Sequence, residues 1–203
     1  KAKINWFLNA APVKPMGDVK LLVGDWTFNN ATPDNQGTLG FFATRSGAPV
    51  LVTCYHALRT PQHAWEGLGA APPDFNRVFA QPASGPHAVN IGTLVDGTIN
   101  DWMDCAVVAL DASVDFANID PVFGPFSVKE TASAGVGAAI QVNGATSEPG
   151  YGTVRSIENC VRIDYGDRIR ALYDLVCLEN TGDPTRSLTQ KGDSGAVVLD
   201  MDE

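Results

Sequence analysis

The sequence predicts an all-β fold, and three observations lead to this prediction. The 20 glycines and 13 prolines make up 33 of the 203 residues, about 16% against roughly 12% in average proteins. Short runs of residues that favour strands recur between clusters of Gly, Pro, Asn and Asp. No segment keeps the apolar period of a helix over three turns. Many short strands joined by turns are typical of a sandwich or of barrels.

Strand-like runs divide the chain into two parts. In the first part we predict strands at residues 20–23, 38–43, 50–54, 77–79, 88–95 and 105–110. Residues 111–126 are rich in Pro and Asp, which predicts a linker. In the second part the predicted strands are residues 138–143, 152–163, 173–178 and 196–199. The second part therefore has fewer strands than the first.

Charge and hydropathy exclude two classes of partner. The net charge is −9, and the 14 Lys and Arg residues are scattered singly, so we expect no nucleic acid partner. No apolar run approaches the roughly 20 residues that span a bilayer, so we expect no membrane span. No signal peptide is visible at the start of the sequence. This favours the cytoplasm and leaves secretion after removal of a signal open.

Cysteine and histidine spacing gives no indication of a metal site. The cysteines contain no C-x-x-C pair and the histidines no i, i+4 pair, so we expect no metal and no cofactor. The simplest interpretation of the cysteines is that they are small buried apolar residues. On neighbouring strands, Cys160 and Cys177 could still face each other.

The most specific local motif is a turn, Gly192-Asp193-Ser194-Gly195, which runs into the apolar residues 196–199. A turn rich in Gly, Asp and Ser before a strand is also ordinary loop chemistry. A serine hydroxyl is a poor nucleophile at neutral pH, so it needs a base that takes its proton and a group that orients this base. Catalysis by Ser194 therefore requires partners elsewhere in the chain.

Three histidines are candidates for this base. His56 follows the apolar run 50–55, so a rigid strand end holds its ring. We expect His63 and His87, which lie in a loop-like stretch, to be exposed to solvent. For the orienting carboxylate we choose Asp104, which opens the apolar strand 105–110, with Asp101 as the rival. The alternative interpretation of Asp104 is a turn residue at the start of a strand.

The order His56, Asp104, Ser194 and the Gly-Asp-Ser-Gly turn resemble the trypsin/chymotrypsin-like serine protease family, in its bacterial type. Residues 53–58 resemble the family's Thr-x-x-His strand end, and residues 104–108 resemble its Asp-x-Ala-Leu-Leu strand. Residues 38–42 resemble the Gly-rich strand that precedes the histidine. The resemblance covers residues 38–199.

This resemblance implies two antiparallel β-barrels with the catalytic triad in the cleft between them. We assign residues 1–120 to the first barrel and residues 121–203 to the second. By the same resemblance, His56 is the general base and acid, Asp104 orients it, and Ser194 attacks a protein or peptide substrate. The backbone N–H groups of Gly192 and Ser194 would form the oxyanion hole.

Three features depart from the family pattern. The second part has about four predicted strands, and the sequence ends nine residues after Ser194. We therefore expect an incomplete second barrel that a second chain or a C-terminal fragment completes. No Ile-Val-Gly-Gly start is present, so the partner of Asp193 stays open.

The third departure concerns the substrate pocket. Leu188 stands six residues before the serine, where the family has the floor of this pocket, so we expect an apolar or small side chain before the cleaved bond. Lys191 is a second candidate for the pocket lining.

Two alternatives to a serine endopeptidase remain. One is an inactive or latent protease fold that serves as a binding module, since a fold does not guarantee a function. The other is an esterase with the same triad, but the sequence around Ser194 lacks the strand-turn-helix pattern of that class.

Overall fold

A computed structural model describes residues 9–10, 20–82, 87–125, 135–147, 149–183 and 185–201 of the chain. Within these ranges the regular elements are β-strands and one short 3-10 helix, Pro73–Asn76. The all-β prediction is confirmed. No helix in the described ranges is long and apolar enough to cross a membrane.

The strands of the first half form one antiparallel sheet in the order β1-β5-β6-β9-β8-β7-β3-β4. Their bounds are β1 Asn9–Ala10, β3 Trp26–Asn29, β4 Gln36–Thr38, β5 Phe41–Arg45, β6 Ala48–Thr53, β7 Arg77–Gln81, β8 Val89–Ile99 and β9 Asp104–Leu110. Strand side chains alternate between the two faces of a sheet, so every second residue points into the core. Phe42, Leu51, Leu94 and Val108 are buried in this way, at most 1% exposed.

Strands β6 and β9 are neighbours in the centre of this sheet. Their register pairs Val50 with Ala109 and Thr53 with Ala106. The end of β6 therefore lies beside the start of β9. Residues just after Thr53 and residues at the start of β9 meet at one edge of the first sheet.

The second half forms a smaller sheet in the order β15-β14-β13-β16. Its strands are β13 Ala139–Val142, β14 Gly150–Asp164, β15 Ile169–Asn180 and β16 Val198–Asp200. The 15-residue β14 and the 12-residue β15 form a long hairpin that extends past the two short strands. Four strands in this sheet agree with the predicted partial second barrel.

Two separate two-stranded pairings involve the segment between the two sheets, and here the linker prediction needs correction. Residues 111–126 contain β10 Asp115–Ala117, β11 Ile119–Asp120 and β12 Gly124–Pro125. Strand β10 pairs in parallel with β2, Lys20–Leu22. Phe116 is buried and its ring lies 4.9 Å from that of Phe42, so apolar packing holds this segment against the first core.

Candidate active site

His56 lies on a single helical turn directly after β6. The N–H of Arg59 donates to the carbonyl of Tyr55 at 2.7 Å, which closes this turn. The Tyr55 side chain is fully buried, and Asn35 donates to the carbonyl of His56 at 2.5 Å. The backbone of His56 is therefore fixed on both sides of the residue.

Asp104, the first residue of β9, binds this turn through both carboxylate oxygens. Its Oδ1 accepts the N–H groups of Tyr55 and His56, at 2.7 and 3.1 Å. Its Oδ2 lies 2.6 Å from His56 Nδ1. An ionised carboxylate only accepts hydrogen bonds, so Nδ1 carries a hydrogen and donates a hydrogen bond to Asp104.

Ser194 approaches the other nitrogen of the same ring. Its Oγ lies 2.8 Å from His56 Nε2, although the two residues are 138 positions apart in the sequence. In the neutral ring, with the hydrogen on Nδ1, Nε2 accepts the hydrogen bond from the serine hydroxyl. The rival carboxylate, Asp101, is exposed and pairs with Arg170 at 3.8 Å. The structure thus brings together His56, Asp104 and Ser194, without Asp101.

The turn that carries Ser194 is held against the first sheet by Thr38. The N–H of Thr38 donates to the carbonyl of Ser194 at 2.8 Å, and its hydroxyl donates to the carbonyl of Gly192 at 2.9 Å. Gly195 has a φ of +97°, and a Cβ there would lie 2.6 Å from the Thr38 carbonyl oxygen. Glycine is therefore required where the two halves of the chain approach most closely.

The oxyanion-hole candidates are the backbone N–H groups of Gly192 and Ser194. In the described part of the chain, neither group donates to a protein acceptor. Gly192 has a φ of +107°, and a Cβ there would lie 2.8 Å from the Trp26 ring.

Asp193 lies between Gly192 and Ser194 in the sequence. Its carboxylate is buried and accepts hydrogen bonds from neutral groups. Its Oδ1 accepts the N–H groups of Thr146 and Ser147, at 2.8 and 3.0 Å. Its Oδ2 accepts the Ser147 hydroxyl at 2.5 Å and the Gln190 N–H at 2.6 Å. Burial raises the pKa of Asp193, but these four hydrogen bonds outweigh it and hold the pKa below its usual value. The sequence analysis left this partner open.

The pKa of His56 reflects two opposing effects. Burial lowers it, whereas the hydrogen bond with Asp104 favours the protonated ring and raises it. The net effect is a pKa above the ordinary value of 6.5. The imidazole is therefore a stronger base than a free histidine.

The two pocket candidates lie near the nucleophile turn in different settings. Leu188 is half-buried and packs on β14, where a Cβ at Gly150 would lie 2.7 Å from its Cδ1. Lys191 is exposed, and its carbonyl accepts the Thr146 hydroxyl at 3.0 Å. Neither contact assigns a binding role.

The expectation that His63 is exposed is wrong. His63 is 3% exposed. Its Nδ1 accepts the N–H of Thr60 at 3.0 Å, and its Nε2 lies 2.8 Å from Asn76 Oδ1. Burial lowers the pKa of His63, so the ring is neutral and structural. His87 is exposed, as expected.

The four cysteines are free thiols. Cys160 and Cys177 are exposed, contrary to the expectation of burial. They do not face each other, because Cys177 pairs with Ser156 across the hairpin. Cys54 is buried, with its Sγ 4.0 Å from His56 Nε2. In the described ranges, no group of three or more His, Cys, Asp or Glu side chains is arranged to hold a metal ion.

Solved structures of bacterial serine proteases resemble this chain. A glutamic acid specific serine protease with a histidine triad in substrate binding is 21% identical, with a TM-score of 0.60 over 88% of this chain and 79% of that one. The Nocardiopsis protease NAPase is 17% identical, with a TM-score of 0.59 over 90% and 79%. The Cellulomonas bogoriensis chymotrypsin is 18% identical, with a TM-score of 0.57 over 89% and 78%.

These similarities concern the fold. The sequence matches no protein-family model and no curated protein. At these identities the solved structures show that the chain has the trypsin/chymotrypsin-like fold of bacterial serine proteases, as the motifs predicted.

The contacts of Asp193 give a first prediction. Ser147→Ala removes one donor and should lower the free energy of unfolding at pH 7 by about 1–2 kcal/mol. A carboxylate with a lowered pKa contributes stability above the ordinary value of 3.8, and this is lost as the pH falls and the group is protonated. The deficit of the variant should therefore shrink between pH 7 and pH 3 in urea unfolding.

Ser187→Ala is the matched control, because its exposed hydroxyl donates to the nearby Thr189 carbonyl. It should unfold like the parent at both pH values. A Ser147→Ala deficit of equal size at pH 7 and pH 3 would contradict the role given to the charge of Asp193.

Proposed function

We propose that this protein is a serine endopeptidase that cleaves peptide bonds through an acyl-enzyme on Ser194. One observation carries the proposal: the His56 ring lies 2.6 Å from Asp104 Oδ2 and 2.8 Å from Ser194 Oγ. The fold of the protease neighbours supports it. In this proposal residues 1–120 form the barrel that carries His56 and Asp104, and residues 121–203 the barrel that carries Ser194.

Acylation begins with a proton transfer within this triad. Ser194 Oγ attacks the carbonyl carbon of the substrate while its proton passes to His56 Nε2. Asp104 keeps the ring oriented and stabilises the imidazolium. The negative charge on the substrate oxygen is stabilised by the N–H groups of Gly192 and Ser194, and one such donor contributes roughly 10²–10³ in kcat.

The intermediate then collapses and the acyl group is released. The proton on Nε2 moves to the leaving amine as the C–N bond breaks, which leaves an ester on Ser194. A water molecule attacks this ester and gives its proton to Nε2. That proton returns to Ser194 Oγ as the carboxylic acid product leaves, and the free enzyme is restored.

The second barrel has open edges, which supports a further part of the proposal. Strands β15 and β16 are the outer strands of the second sheet, and Val176 and Val198 on them are more than 40% exposed. Edge strands present unpaired backbone groups to other chain segments. We propose that a second chain or a C-terminal fragment pairs there and completes the barrel.

An activity-based probe tests the nucleophile. A fluorophosphonate should add once to the protein, as measured by intact mass, and Ser194→Ala should abolish the adduct because the activated hydroxyl is lost. The same masses show whether a second polypeptide accompanies the chain. The variant should melt like the parent, which excludes unfolding as the cause.

A folded parent that takes up no probe would contradict the endopeptidase proposal. It would favour the alternative function, an inactive or latent protease fold that acts as a binding module.

Asp104→Asn tests the orienting role of the carboxylate. The amide still fills the site but selects the wrong imidazole tautomer, so kcat should fall by about 10⁴, as in the classical triad. Because the Asp104 charge raises the pKa of His56, its removal should move the acid limb of the pH–kcat/KM profile to lower pH. Asp101→Asn is the matched control and should keep nearly full activity; a larger loss in this control would contradict the assignment of Asp104.

Substrate preference follows from Leu188 if it lines the pocket. It offers no charge to a Lys or Arg side chain, so cleavage after apolar or small residues should be at least about tenfold faster. Glutamate preference through three histidines, the property of one structural neighbour, is not expected. Of the three histidines here, His56 belongs to the triad and His63 is buried in hydrogen bonds. Digestion of a peptide library, read by mass spectrometry, tests this; dominant cleavage after Lys or Arg would refute it.

A further inference from the structure

The long β14–β15 hairpin of the second sheet reaches back to the first sheet beside His56. Two nitrogens of Arg59, three residues after His56, bind Asp167 Oδ2 at 3.1 and 3.2 Å. On the other arm of the hairpin, Arg170 lies 3.8 Å from carboxylate oxygens of Glu66 and Asp101. Ion pairs on both sides of the hairpin turn thus hold it against the first sheet.

The ring of Trp65 forms the centre of this contact. The guanidinium of Arg59 lies 4.0 Å from the centroid of the indole, and those of Arg168 and Arg170 lie at 5.1 and 5.3 Å. Tyr165 meets the indole edge-on, with 5.6 Å between ring centroids. Two cations and an aromatic ring from the hairpin therefore pack on one side chain of the connection between β6 and β7.

The hairpin turn fixes Tyr165 locally as well. Its N–H donates to the Arg168 carbonyl at 3.0 Å, and the N–H of Gly166 donates to Asp164 Oδ1 at 2.8 Å. Gly166 has a φ of +90°, which suits glycine in a tight turn. Tyr165 is therefore presented at a defined place at the tip.

The ring of Tyr165 lies on the imidazole of His56, with centroids 5.6 Å apart and planes tilted by 59°. We propose that Tyr165 is a positioning residue that holds the His56–Asp104 pair from the side of the second sheet. This inference rests on the proposed function, because it assigns a role relative to the proposed general base. In this proposal Tyr165 acts through His56 and not on the substrate.

The electrostatics of Tyr165 agree with this placement. Burial raises the pKa of its hydroxyl, and the negative charge of the neighbouring Asp104 raises it further. The phenol therefore stays protonated and neutral beside the His56–Asp104 pair, and the contact with His56 is one of ring packing.

Removal of this ring has an effect of definite sign on His56. Burial lowers the pKa of the imidazole, so loss of the ring that covers it lets water reach the imidazolium and raises the pKa of His56. The charged and titratable groups that face this pair of rings are Asp104, Cys54 and Arg170. None of them changes in Tyr165→Ala, so a shift in the titration of His56 reports the ring.

Tyr165→Ala is the decisive variant, because it removes the ring that packs on His56, and Tyr173→Ala is its control. Tyr173 lies on the same hairpin, half-exposed against Trp102 at 5.6 Å. Tyr165→Ala should lower kcat/KM on a peptide substrate about tenfold and move the acid limb of its pH profile to higher pH. Tyr165→Phe restores the ring and should recover most of the activity, whereas Tyr173→Ala should match the parent.

A readout without turnover separates this inference from the proposed function. In a Ser194→Ala background, proton NMR of the His56 ring should show a higher pKa with Tyr165→Ala and an unchanged pKa with Tyr173→Ala. If that shift occurs in a protein whose Ser194 form cleaves no peptide, the positioning role stands and the endopeptidase proposal fails. If neither the acid limb nor the NMR titration moves in Tyr165→Ala, the positioning role is refuted, whatever happens to activity.

Discussion

The antiparallel pairing of β6 with β9 is the constraint on which the candidate site depends. Because Thr53 pairs with Ala106, the start of β9 lies beside the chain that leaves β6. There Asp104 accepts hydrogen bonds from two backbone N–H groups of that segment and from His56 Nδ1. A slip of the register by one residue would turn Asp104 to the opposite face and leave these partly buried donors without an acceptor. The orientation of the His56 ring therefore depends on the register of β6 and β9.

The second half of the chain is positioned by backbone contacts as much as by side chains. Thr38 binds the nucleophile turn at two carbonyls, and Asp193 anchors the other side of that turn to residues 146–147. In the described part of the chain, four neutral groups donate hydrogen bonds to the Asp193 carboxylate, and these bonds hold the turn in shape without an ammonium group.

The sequence predicted the site residues that lie at strand ends, but it did not predict contacts between segments that are far apart in the chain. His56, Asp104 and Ser194 each border an apolar strand, so short motifs single them out. Nothing near Ser147 or Tyr165 indicates their contacts, because both reach across the fold. His63 was misjudged since its partners, Thr60 and Asn76, give a buried imidazole full hydrogen bonding. The linker prediction failed because Pro and Asp indicate turns, whereas the burial of Phe116 in the core depends on contacts with distant residues.

The 138 positions between His56 and Ser194 also set the order of events during synthesis. Contacts between distant residues carry a large loop-closure entropy and form late in folding. A ribosome adds about 5–20 residues per second, so the base and its carboxylate emerge well before the serine. If Ser194 is the proposed nucleophile, the growing chain holds no activated hydroxyl until the segment that carries Ser194 docks. The order of these residues along the chain then protects the nascent chain, and proteins near the ribosome, from premature cleavage.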